Sequence, residues 1–447
     1  MSVSPARATA FDILLRVEQE DSYASELLHS ARCAELTTAD HALATELVMG
    51  VLRWRSSLDA AIAKASSQRL EKLDPEVLIA LRLGAYQMGW LDRIPARAAI
   101  HESVELVKRA RKRSAVPFAN AVLRKLAQSL TAGEARTNLI QSASAPDALA
   151  TASAHPGWLV ERWVPQFGLD VARQVCSYDQ SIPVTALRLR APSAEEELRR
   201  AGIELVAGAV LAGARRVCSG DITKTKAFDE GRVAIQDEAS QLVAALVGKG
   251  TRILDCCAAP GGKTWGIADH NPEATIVAVE LHPHRAEGLR KRIAAKNLQV
   301  VTADVRELPV RERFDRVLVD VPCSGTGTLA RNPEIKWRLK PADLTDLRAR
   351  QLSILESAMK QVAPGGKLVY STCSLEKEEN ESVVDRALRT HESFRLRDHR
   401  VELERLRTDG QLVAKHLDSF LHGPYLRTIP GLHPCDGFFV AIFERPN

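Results

Sequence analysis

The stretch Ile253-Leu-Asp-Cys-Cys-Ala-Ala-Pro-Gly-Gly-Lys-Thr264 decides the fold, because it joins an apolar strand to a helix through a turn that contains two glycines. In an open parallel sheet, ligands bind beyond the carboxyl ends of the strands, which is where this turn lies. Gly261 and Gly262 allow backbone amides to approach a bound group closely, and the helix that follows offers it a positive N-terminus. The stretch therefore predicts a ligand site at the edge of a sheet.

Strand and helix patterns alternate around this stretch, from Val233 onwards, as is typical of an open parallel sheet covered by helices. We assign the pattern to a domain over residues 229–447. Its predicted strands cover 252–256, 275–279, 299–302, 316–319, 367–370 and 438–443. Its predicted helices cover 263–270, 283–297, 343–362 and 378–389.

The residues before this domain indicate two smaller ones, for which a chain of 447 residues is long enough. Apolar residues recur at helical spacing throughout 1–128 without strand-like alternation, which predicts an all-helical domain of five to seven helices. A polar stretch over 129–149 is typical of a linker. The next segment, 150–228, combines short helices with a strand pattern at 184–190 and predicts a small α+β subdomain.

The composition excludes several classes of protein. Hydrophobic residues make up 45% and charged residues 26% of the chain, which argues against disordered and membrane proteins. No apolar run approaches the roughly 18 to 20 residues that span a bilayer, and the first residues lack the apolar core of a signal peptide, so we expect a cytoplasmic protein. The eight cysteines include no C-x-x-C pair, and we expect reduced thiols and no bound metal.

Positive charge is concentrated at one place in the helical domain, around the turn at 114–117. Such a run is either a solvated helix face or a surface that binds nucleic-acid phosphates, which release counterions when they are neutralised. The residue pattern leaves both interpretations open. The run consists of Lys108, Arg109, Arg111, Lys112, Arg113, Arg124 and Lys125.

Two later strands also end in acidic residues, Glu280 and Asp304, as the first ends in Asp255. A carboxylate after the second strand can accept both ribose hydroxyls, and one after the third can accept the adenine amino group. Each acid alone could be a helix N-cap, but together with the glycine turn they favour S-adenosylmethionine. The sequence of residues 262–264 resembles the end of a P-loop, yet that motif requires glycine where Cys257 stands, so we do not expect an ATPase.

Two cysteines follow neighbouring strands, in Asp320-Val-Pro-Cys-Ser-Gly-Thr-Gly-Thr328 and in Tyr370-Ser-Thr-Cys373-Ser. They predict a crevice with two thiols and one acid. Because C5 of cytosine is a poor nucleophile, its methylation requires a thiolate to attack C6 first, and an acid near N3, here Asp320, stabilises the charge that develops. Either Cys323 or Cys373 could attack, and either could be a small buried hydrophobe.

These motifs resemble those of the RNA 5-methylcytosine methyltransferases, often called the Sun family. The resemblance extends to Gln236-Asp-Glu-Ala-Ser240, Arg331-Asn-Pro-Glu-Ile-Lys-Trp337 and Asp436-Gly-Phe-Phe439. The helical domain, with Arg53-Trp54 and Phe118-Ala-Asn-Ala-Val-Leu-Arg124, resembles the NusB-like RNA-binding domain of bacterial 16S rRNA members. The family resemblance implies an α/β Rossmann-like S-adenosylmethionine-dependent methyltransferase domain, preceded by the small α+β subdomain and an all-α NusB-like domain.

The resemblance also implies roles for residues. Cys373 is the expected nucleophile, Cys323 aids product release, and Lys263 is an active-site cation rather than a solvated residue at a helix start. Glu280 stands where Asp is commoner in the family, but its longer side chain still reaches the ribose. Lys336 and Trp337 either contact RNA or pack. The implied cofactor-binding residues are Cys257, Ala258, Ala259, Pro260, Gly261, Gly262, Lys263, Glu280, Asp304 and Asp320.

The expected partner is 16S rRNA, bound by a monomer, with tRNA or another RNA as the alternative. The target cytosine must be unpaired or flipped out of a helix. Two other classes of protein remain as rivals. A non-catalytic RNA-binding assembly factor would not need both cysteines and the acids at the strand ends. A DNA cytosine methyltransferase would attack with the thiol of its Pro-Cys motif, which is Cys323 here, and the Thr372-Cys373 motif disfavours it.

Overall fold

The computed structural model describes residues 3–20, 22–129, 134–293, 295–308 and 313–447. The chain forms two compact units. Unit 1 comprises Met1–Ile182 and Leu329–Arg338, and unit 2 comprises Pro183–Thr328 and Leu339–Asn447. The chain thus leaves unit 2 after Thr328, contributes ten residues to unit 1, and returns to unit 2.

The helices and strands are numbered in chain order. The described α-helices are α1 Pro5–Gln19, α2 Ala24–Leu28, α3 Ala31–Ala34, α4 Thr38–Arg53, α5 Arg55–Ala65, α6 Pro75–Trp90, α7 Ala96–Arg109, α8 Val116–Ser129, α9 Glu134–Ser142, α10 Pro146–Ala152, α11 Gly157–Phe167, α12 Leu169–Asp179, α13 Pro192–Arg200, α14 Lys226–Asp229, α15 Glu238–Val247, α16 Gly262–His270, α17 Pro283–Arg292, α18 Ile335–Arg338, α19 Asp343–Met359, α20 Glu381–Thr390 and α21 His399–Thr408. The described strands are β1 Ala186–Leu189, β2 Glu204–Ala207, β3 Ala214–Ser219, β4 Val233–Ile235, β5 Arg252–Asp255, β6 Thr275–Glu280, β7 Leu298–Thr302, β8 Phe314–Asp320, β9 Val362–Thr372, β10 Arg395–Leu396, β11 Leu421–His422, β12 Tyr425–Thr428 and β13 Phe438–Glu444.

Unit 1 is helical, as the apolar periodicity of its first part predicts. The long helices α1, α4, α6 and α8 bury their apolar faces against one another around Leu14, Leu47, Leu83 and Leu123. The described residues up to Ser129 form eight α-helices rather than five to seven, because α2 and α3 are too short to show a helical period. The predicted linker over 129–149 contains α9 and the start of α10. Residues 130–133 of that prediction lie outside the described part of the chain.

Lys336, on the segment Leu329–Arg338, is buried within unit 1 with only 1% of its surface exposed. Its ammonium donates hydrogen bonds to the backbone oxygens of Arg53, at 2.8 Å, and Ala154, at 3.1 Å. Two neutral carbonyls are weak compensation for a desolvated charge. Burial therefore lowers the pKa of Lys336 to about 7, and the opposing effect of Asp179 does not restore it.

The neighbours of Lys336 on this segment are held by backbone groups as well. Trp337 donates from its indole nitrogen to the backbone oxygen of Leu52 at 2.6 Å. Glu334 is 1% exposed and accepts a hydrogen bond from the backbone nitrogen of Ala24 at 3.0 Å. Of the two interpretations of Lys336 and Trp337, RNA contact or packing, the structure supports packing.

Unit 2 contains two sheets. The smaller is antiparallel, with the strand order β2-β3-β1-β4, and α13 and α14 pack beside it. In the larger sheet the order is β11-β12-β13-β9-β8-β5-β6-β7, and β10 pairs with β13. Strands β5 to β9 are parallel, as predicted, with a switch in strand order between β5 and β8.

The last strands of the sheet depart from the parallel direction, because β13 runs antiparallel to both β9 and β12. The nine residues between β12 and β13 are too few for the crossover that a parallel pair requires. No helix in the described ranges combines the length and hydropathy that crossing a membrane requires.

The buried Lys336 predicts a pH dependence of stability. Its pKa is about 7 in the folded protein but about 10.4 when unfolded, so between these values only the unfolded chain binds the proton. The free energy of unfolding of the wild type, measured relative to Lys336→Met, should therefore rise as the pH increases from 7 to 10 and stay constant below pH 7. Urea unfolding of the full chain, followed by tryptophan fluorescence, measures it.

Lys64 is an exposed lysine on α5 of the same unit, so Lys64→Met is the matched control and should leave the pH dependence of the wild type unchanged. Asp179, Cys176 and Arg53 lie near Lys336 in both proteins, and His155, whose pKa is lowered by burial and by Lys336, titrates below the range of pH 7 to 10 in which the two proteins are compared. Identical pH dependence in Lys336→Met and wild type would contradict the assignment.

Candidate active site

The parallel strands of unit 2 bring the predicted acids to one edge of the sheet. Asp255 is the last residue of β5, Glu280 of β6 and Asp320 of β8, while Asp304 follows β7. The thiol of Cys257, in the glycine turn, lies close enough to interact with all four carboxylates. Burial raises the pKa of this thiol well above the ordinary range, and the four carboxylates raise it further. The four acids therefore converge on the turn, and Cys257 keeps its proton at neutral pH.

The turn has the backbone geometry expected of a ligand cradle. Gly261 has φ 107°, a left-handed conformation that favours glycine, and a side chain there would overlap Leu289. Thr264, in the first turn of α16, donates from its hydroxyl to Asp255 Oδ2 at 2.7 Å. The second oxygen, Oδ1, is buried without a hydrogen-bond partner among the described residues. Burial raises the pKa of Asp255 to about 6.

The two acids expected to bind the nucleoside also have partners within the protein. Glu280 accepts hydrogen bonds from the backbone nitrogens of Ala259, at 3.3 Å, and His282, at 2.9 Å, and so connects the glycine turn to the end of β6. Asp304 accepts from the backbone nitrogen of Arg306 at 2.9 Å and forms an ion pair with its guanidinium. Asp304 thus has the geometry of a helix N-cap, which is the alternative to adenine binding that the sequence analysis gave for this residue.

Lys263 and Asp320 form an ion pair at 2.6 Å beside the crevice. Ser371 donates to the other Asp320 oxygen at 2.7 Å, and the ammonium lies 4.9 Å from the centre of the Phe438 ring. Only 13% of the Lys263 side chain is exposed, so it is not a solvated residue at a helix start. Burial alone would lower the pKa of Lys263, but Asp320 outweighs it and the pKa is raised.

The two predicted thiols lie next to each other, with 3.2 Å between the sulfur atoms of Cys323 and Cys373, and both are free. Their surroundings differ in charge. The hydrogen bond with Cys373 and burial raise the pKa of Cys323 well above the ordinary range, and the carboxylate of Glu379 raises it further. Cys373 is instead one of the groups that interact favourably with the Lys263 ammonium. Cys323 therefore keeps its proton at neutral pH, and the two sulfur atoms are not electrostatically equivalent.

One carboxylate, which the sequence analysis missed, ties the two cysteine loops together. Glu379 is fully buried and accepts through Oε1 from the Ser324 backbone nitrogen and from Gln351 Nε2, both at 2.8 Å. Through Oε2 it accepts from the hydroxyls of Ser324 and Ser374. Each serine directly follows one of the cysteines. The sequence holds no specific signal for this shared partner, because the Cys-Ser dipeptide also occurs at Cys176-Ser177 and Cys218-Ser219.

Further hydrogen bonds hold these loops at close range. The Gly327 backbone nitrogen donates to the Cys373 oxygen at 2.9 Å, and its oxygen accepts from Gly437 at 2.7 Å. A side chain at Gly327 would overlap the backbone of Gly437. Asn380 accepts from the Thr372 hydroxyl at 2.6 Å and donates to the Ser374 oxygen at 2.8 Å. These hydrogen bonds fix the two loops against each other and thereby the separation of the thiols.

The basic run of unit 1 is partly neutralised by neighbouring groups, whereas Arg111, Arg113 and Arg124 are exposed. Three cations of the run form ion pairs, and a fourth donates to a backbone oxygen. The pairs are Lys108 with Glu105, Arg109 with Asp12, Lys112 with Asp74 and Glu76, and Lys125 with the oxygen of Ala65.

Comparison with known families finds a match for the helical N-terminal part of the chain and another for the sheet domain. The sequence model of a family described as 16S rRNA methyltransferase RsmB/F matches residues 244–444, and that of the NusB family matches residues 4–128. A Bacillus subtilis protein named probable ribosomal RNA small subunit methyltransferase B is 34% identical, covering 100% of both chains. The Vibrio cholerae ribosomal RNA small subunit methyltransferase B is 31% identical, covering 99% of this chain and 98% of its own.

Solved structures share the fold. The crystal structure of PH0851 superposes with a TM-score of 0.80 at 24% identity and covers 100% of both chains. That of NSun6 from Pyrococcus horikoshii with SFG has a TM-score of 0.56 at 19% identity and covers 66% of this chain and 99% of its own. Both likenesses concern the architecture, including the Rossmann-like sheet.

The position of Glu379 predicts how the thiols react. In Glu379→Gln the negative charge next to Cys323 is lost, so the pKa of that thiol should fall and its alkylation by iodoacetamide at a fixed pH near 8 should become severalfold faster. Peptide mass spectrometry over a pH series measures the alkylation rate of each cysteine. Glu392→Gln, at an exposed position after α20, is the control and should change neither rate. Unchanged alkylation of Cys323 in Glu379→Gln would refute this electrostatic role.

Proposed function

Because this chain belongs to the RsmB/F family of 16S rRNA methyltransferases, we propose that it methylates C5 of a cytosine in 16S rRNA through a covalent bond between Cys373 and C6 of that base. S-adenosylmethionine is the cofactor. One observation carries the proposal: two free thiols lie 3.2 Å apart and differ in their charged neighbours. Methyl transfer to oxygen or nitrogen requires no thiol, whereas transfer to C5 of a pyrimidine does.

The charges favour Cys373 over Cys323 as the nucleophile. The hydrogen bond with Cys373, burial and the charge of Glu379 all oppose a thiolate at Cys323, whereas Cys373 is one of the groups that interact favourably with the Lys263 ammonium. The chemistry needs one sulfur atom that attacks the base and later leaves it. A protonated thiol beside that sulfur atom is suited to assist its departure. This difference supports the order of roles that the family resemblance implies.

The reaction follows from these positions. The Cys373 thiolate adds to C6 of the cytosine, which moves electron density to C5, and the ion pair of Lys263 with Asp320 orients the N3 and 4-amino edge of the base. Bound S-adenosylmethionine would supply the methyl group to C5 and would leave as S-adenosylhomocysteine. When a base removes the C5 proton, the electron pair reforms the double bond and expels Cys373. The Cys323 thiol hydrogen-bonds to the departing sulfur and promotes its release.

The glycine turn and the converging acids fit S-adenosylmethionine. Gly261 has the left-handed conformation that the turn requires, and the buried Asp255 oxygen is free to accept a hydrogen bond. We assign the ribose hydroxyls to Glu280 and the adenine amino group to Asp304, with the backbone of residues 257–263 around the rest of the cofactor. Asp304 would keep its contact with Arg306 through one oxygen.

The helical domain over residues 1–128 and the subdomain over 150–228 are proposed to hold the RNA backbone. The exposed Arg111, Arg113 and Arg124 are the cations of the basic run best placed for phosphates. A substrate such as 16S rRNA is consistent with the cytoplasmic location expected from the sequence. The alternatives are the same chemistry on tRNA or another RNA, and an assembly factor without catalysis.

Glu280 provides a test of the cofactor site. Glu280→Gln keeps the length of the side chain but loses a charge-assisted hydrogen bond, so the dissociation constant for S-adenosylmethionine should rise about tenfold. Isothermal titration calorimetry measures it. Glu273→Gln, at an exposed position just before β6, should bind as the wild type does. Equal affinity of Glu280→Gln and wild type would exclude Glu280 from the site.

The thiols provide the test of the reaction. With labelled S-adenosylmethionine and 16S rRNA, Cys373→Ala should transfer no label, because no other group attacks C6. Cys323→Ala should accumulate a covalent protein–RNA adduct that survives denaturing electrophoresis, because release is slowed. Digestion of the wild-type product to nucleosides should yield labelled 5-methylcytidine.

Cys218→Ala, which removes an exposed thiol of the small sheet, is the control and should behave as the wild type does. Label transfer by Cys373→Ala would overturn the choice of nucleophile. If the wild type labels tRNA instead, the substrate is wrong, and if it labels no RNA, the assembly factor is the better explanation.

A further inference from the structure

A cavity of about 570 Å³ lies in unit 2 at the amino ends of the parallel strands, opposite the edge that carries the thiols. Its lining includes Arg316 near the start of β8 and Lys367 on β9, which are paired in register. Six residues separate Lys367 from Cys373, which corresponds to about 20 Å along a strand. The cavity is therefore distinct from the active site.

The cavity is strongly basic. Seven lysines and arginines line it, against the side-chain carboxylates of Glu402, Asp409 and Glu444. Glu402 is shared by three of the cations: Lys367 at 3.3 Å, Arg397 at 2.7 Å and Arg405 at 3.1 Å. Several positive charges are thus left without a carboxylate of their own.

The inner wall of the cavity contains charged side chains that are largely shielded from solvent. The side chain of Lys367 is only 8% exposed, and its ammonium also donates to the backbone oxygen of Leu246 at 2.9 Å. Burial lowers the pKa of Lys367 to about 8, and Arg316 and Arg405 lower it further against the opposing effect of Glu402. The Nε of Arg316 is buried without a hydrogen-bond partner among the described residues. A solvated surface run of charges has neither feature.

We propose that this cavity binds backbone phosphates of the RNA substrate, at least about six nucleotides from the target cytosine. Five of its seven cations are arginines, whose planar guanidinium groups suit the oxygens of phosphodiesters. At the rise of 3.4 Å per nucleotide of a stacked strand, 20 Å corresponds to about six nucleotides. The proposal rests on the proposed function, because it assumes that RNA occupies the thiol edge.

The test removes charge at the exposed rim. Arg395→Gln combined with Arg397→Gln should raise the dissociation constant for a long rRNA fragment about tenfold at 0.15 M salt, and lower the slope of log affinity against log salt by about 1 to 2. The turnover number at saturating RNA should not change, because neither arginine is near the thiols. The double variant Arg386→Gln with Arg389→Gln, which removes two exposed arginines of α20, is the control.

A second variant should change the affinity for the long RNA fragment in the opposite direction. Glu444 pairs with Arg395 and, at 3.6 Å, with Arg397, so Glu444→Gln should free Arg395, leave Arg397 with Glu402 alone, and tighten the binding of the long fragment. A general weakening of the fold would loosen binding in both variants. An RNA that ends about three nucleotides from the target on each side should be methylated equally by wild type and both variants, because it does not reach the cavity.

The outcomes separate this proposal from the proposed function. Normal methylation by the wild type with an unchanged salt slope in the Arg395 and Arg397 double variant would overturn the cavity as an RNA site. Equal effects on the short and the long RNA would also overturn it. A wild type that labels no RNA would instead remove the function on which the proposal rests.

Discussion

The parallel direction of β5 to β9 is the constraint on which the site depends. Because parallel strands end at the same edge, residues that are far apart in sequence meet there, among them Asp255, Asp320 and Cys373. Such an edge collects negative charge, which is costly unless it is compensated. Lys263 compensates Asp320, and the hydroxyl of Thr264 compensates one oxygen of Asp255. Both partners directly follow the glycine turn, so the segment proposed to bind the cofactor also stabilises the edge.

The second constraint is the buried carboxylate of Glu379. A charge in the interior is tolerated only with its hydrogen-bond capacity filled, and Glu379 achieves this with both cysteine loops and Gln351. Stability and chemistry are therefore coupled, because the bonds that allow the charge to be buried also hold the sulfurs 3.2 Å apart. The same charge contributes to the raised pKa of the Cys323 thiol.

The segment Leu329–Arg338 shows how a motif can mislead. Its Arg-Asn-Pro-Glu-Ile-Lys-Trp sequence resembles a family motif and contains two residues suited to RNA, yet Lys336 and Trp337 bind backbone oxygens inside unit 1. A lysine that is 1% exposed cannot neutralise a phosphate without leaving its site. The charge of a residue alone therefore does not identify a nucleic-acid contact, and neither does the family motif.

The sequence by itself determined the elements of this protein and the order of its chemistry-bearing residues. Helical spacing predicted the bundle, and strands that end in Asp255, Glu280 and Asp320 predicted the sheet edge, because both signals are local. Only the tertiary structure decided which charges face which thiol, that Glu379 joins the loops, and that Lys336 is buried. Those facts depend on contacts between residues 50 to 280 positions apart, such as Ser324 with Glu379 and Lys336 with Arg53. No local pattern encodes them, since the free energy of burying a charge depends on partners that only the folded chain brings together.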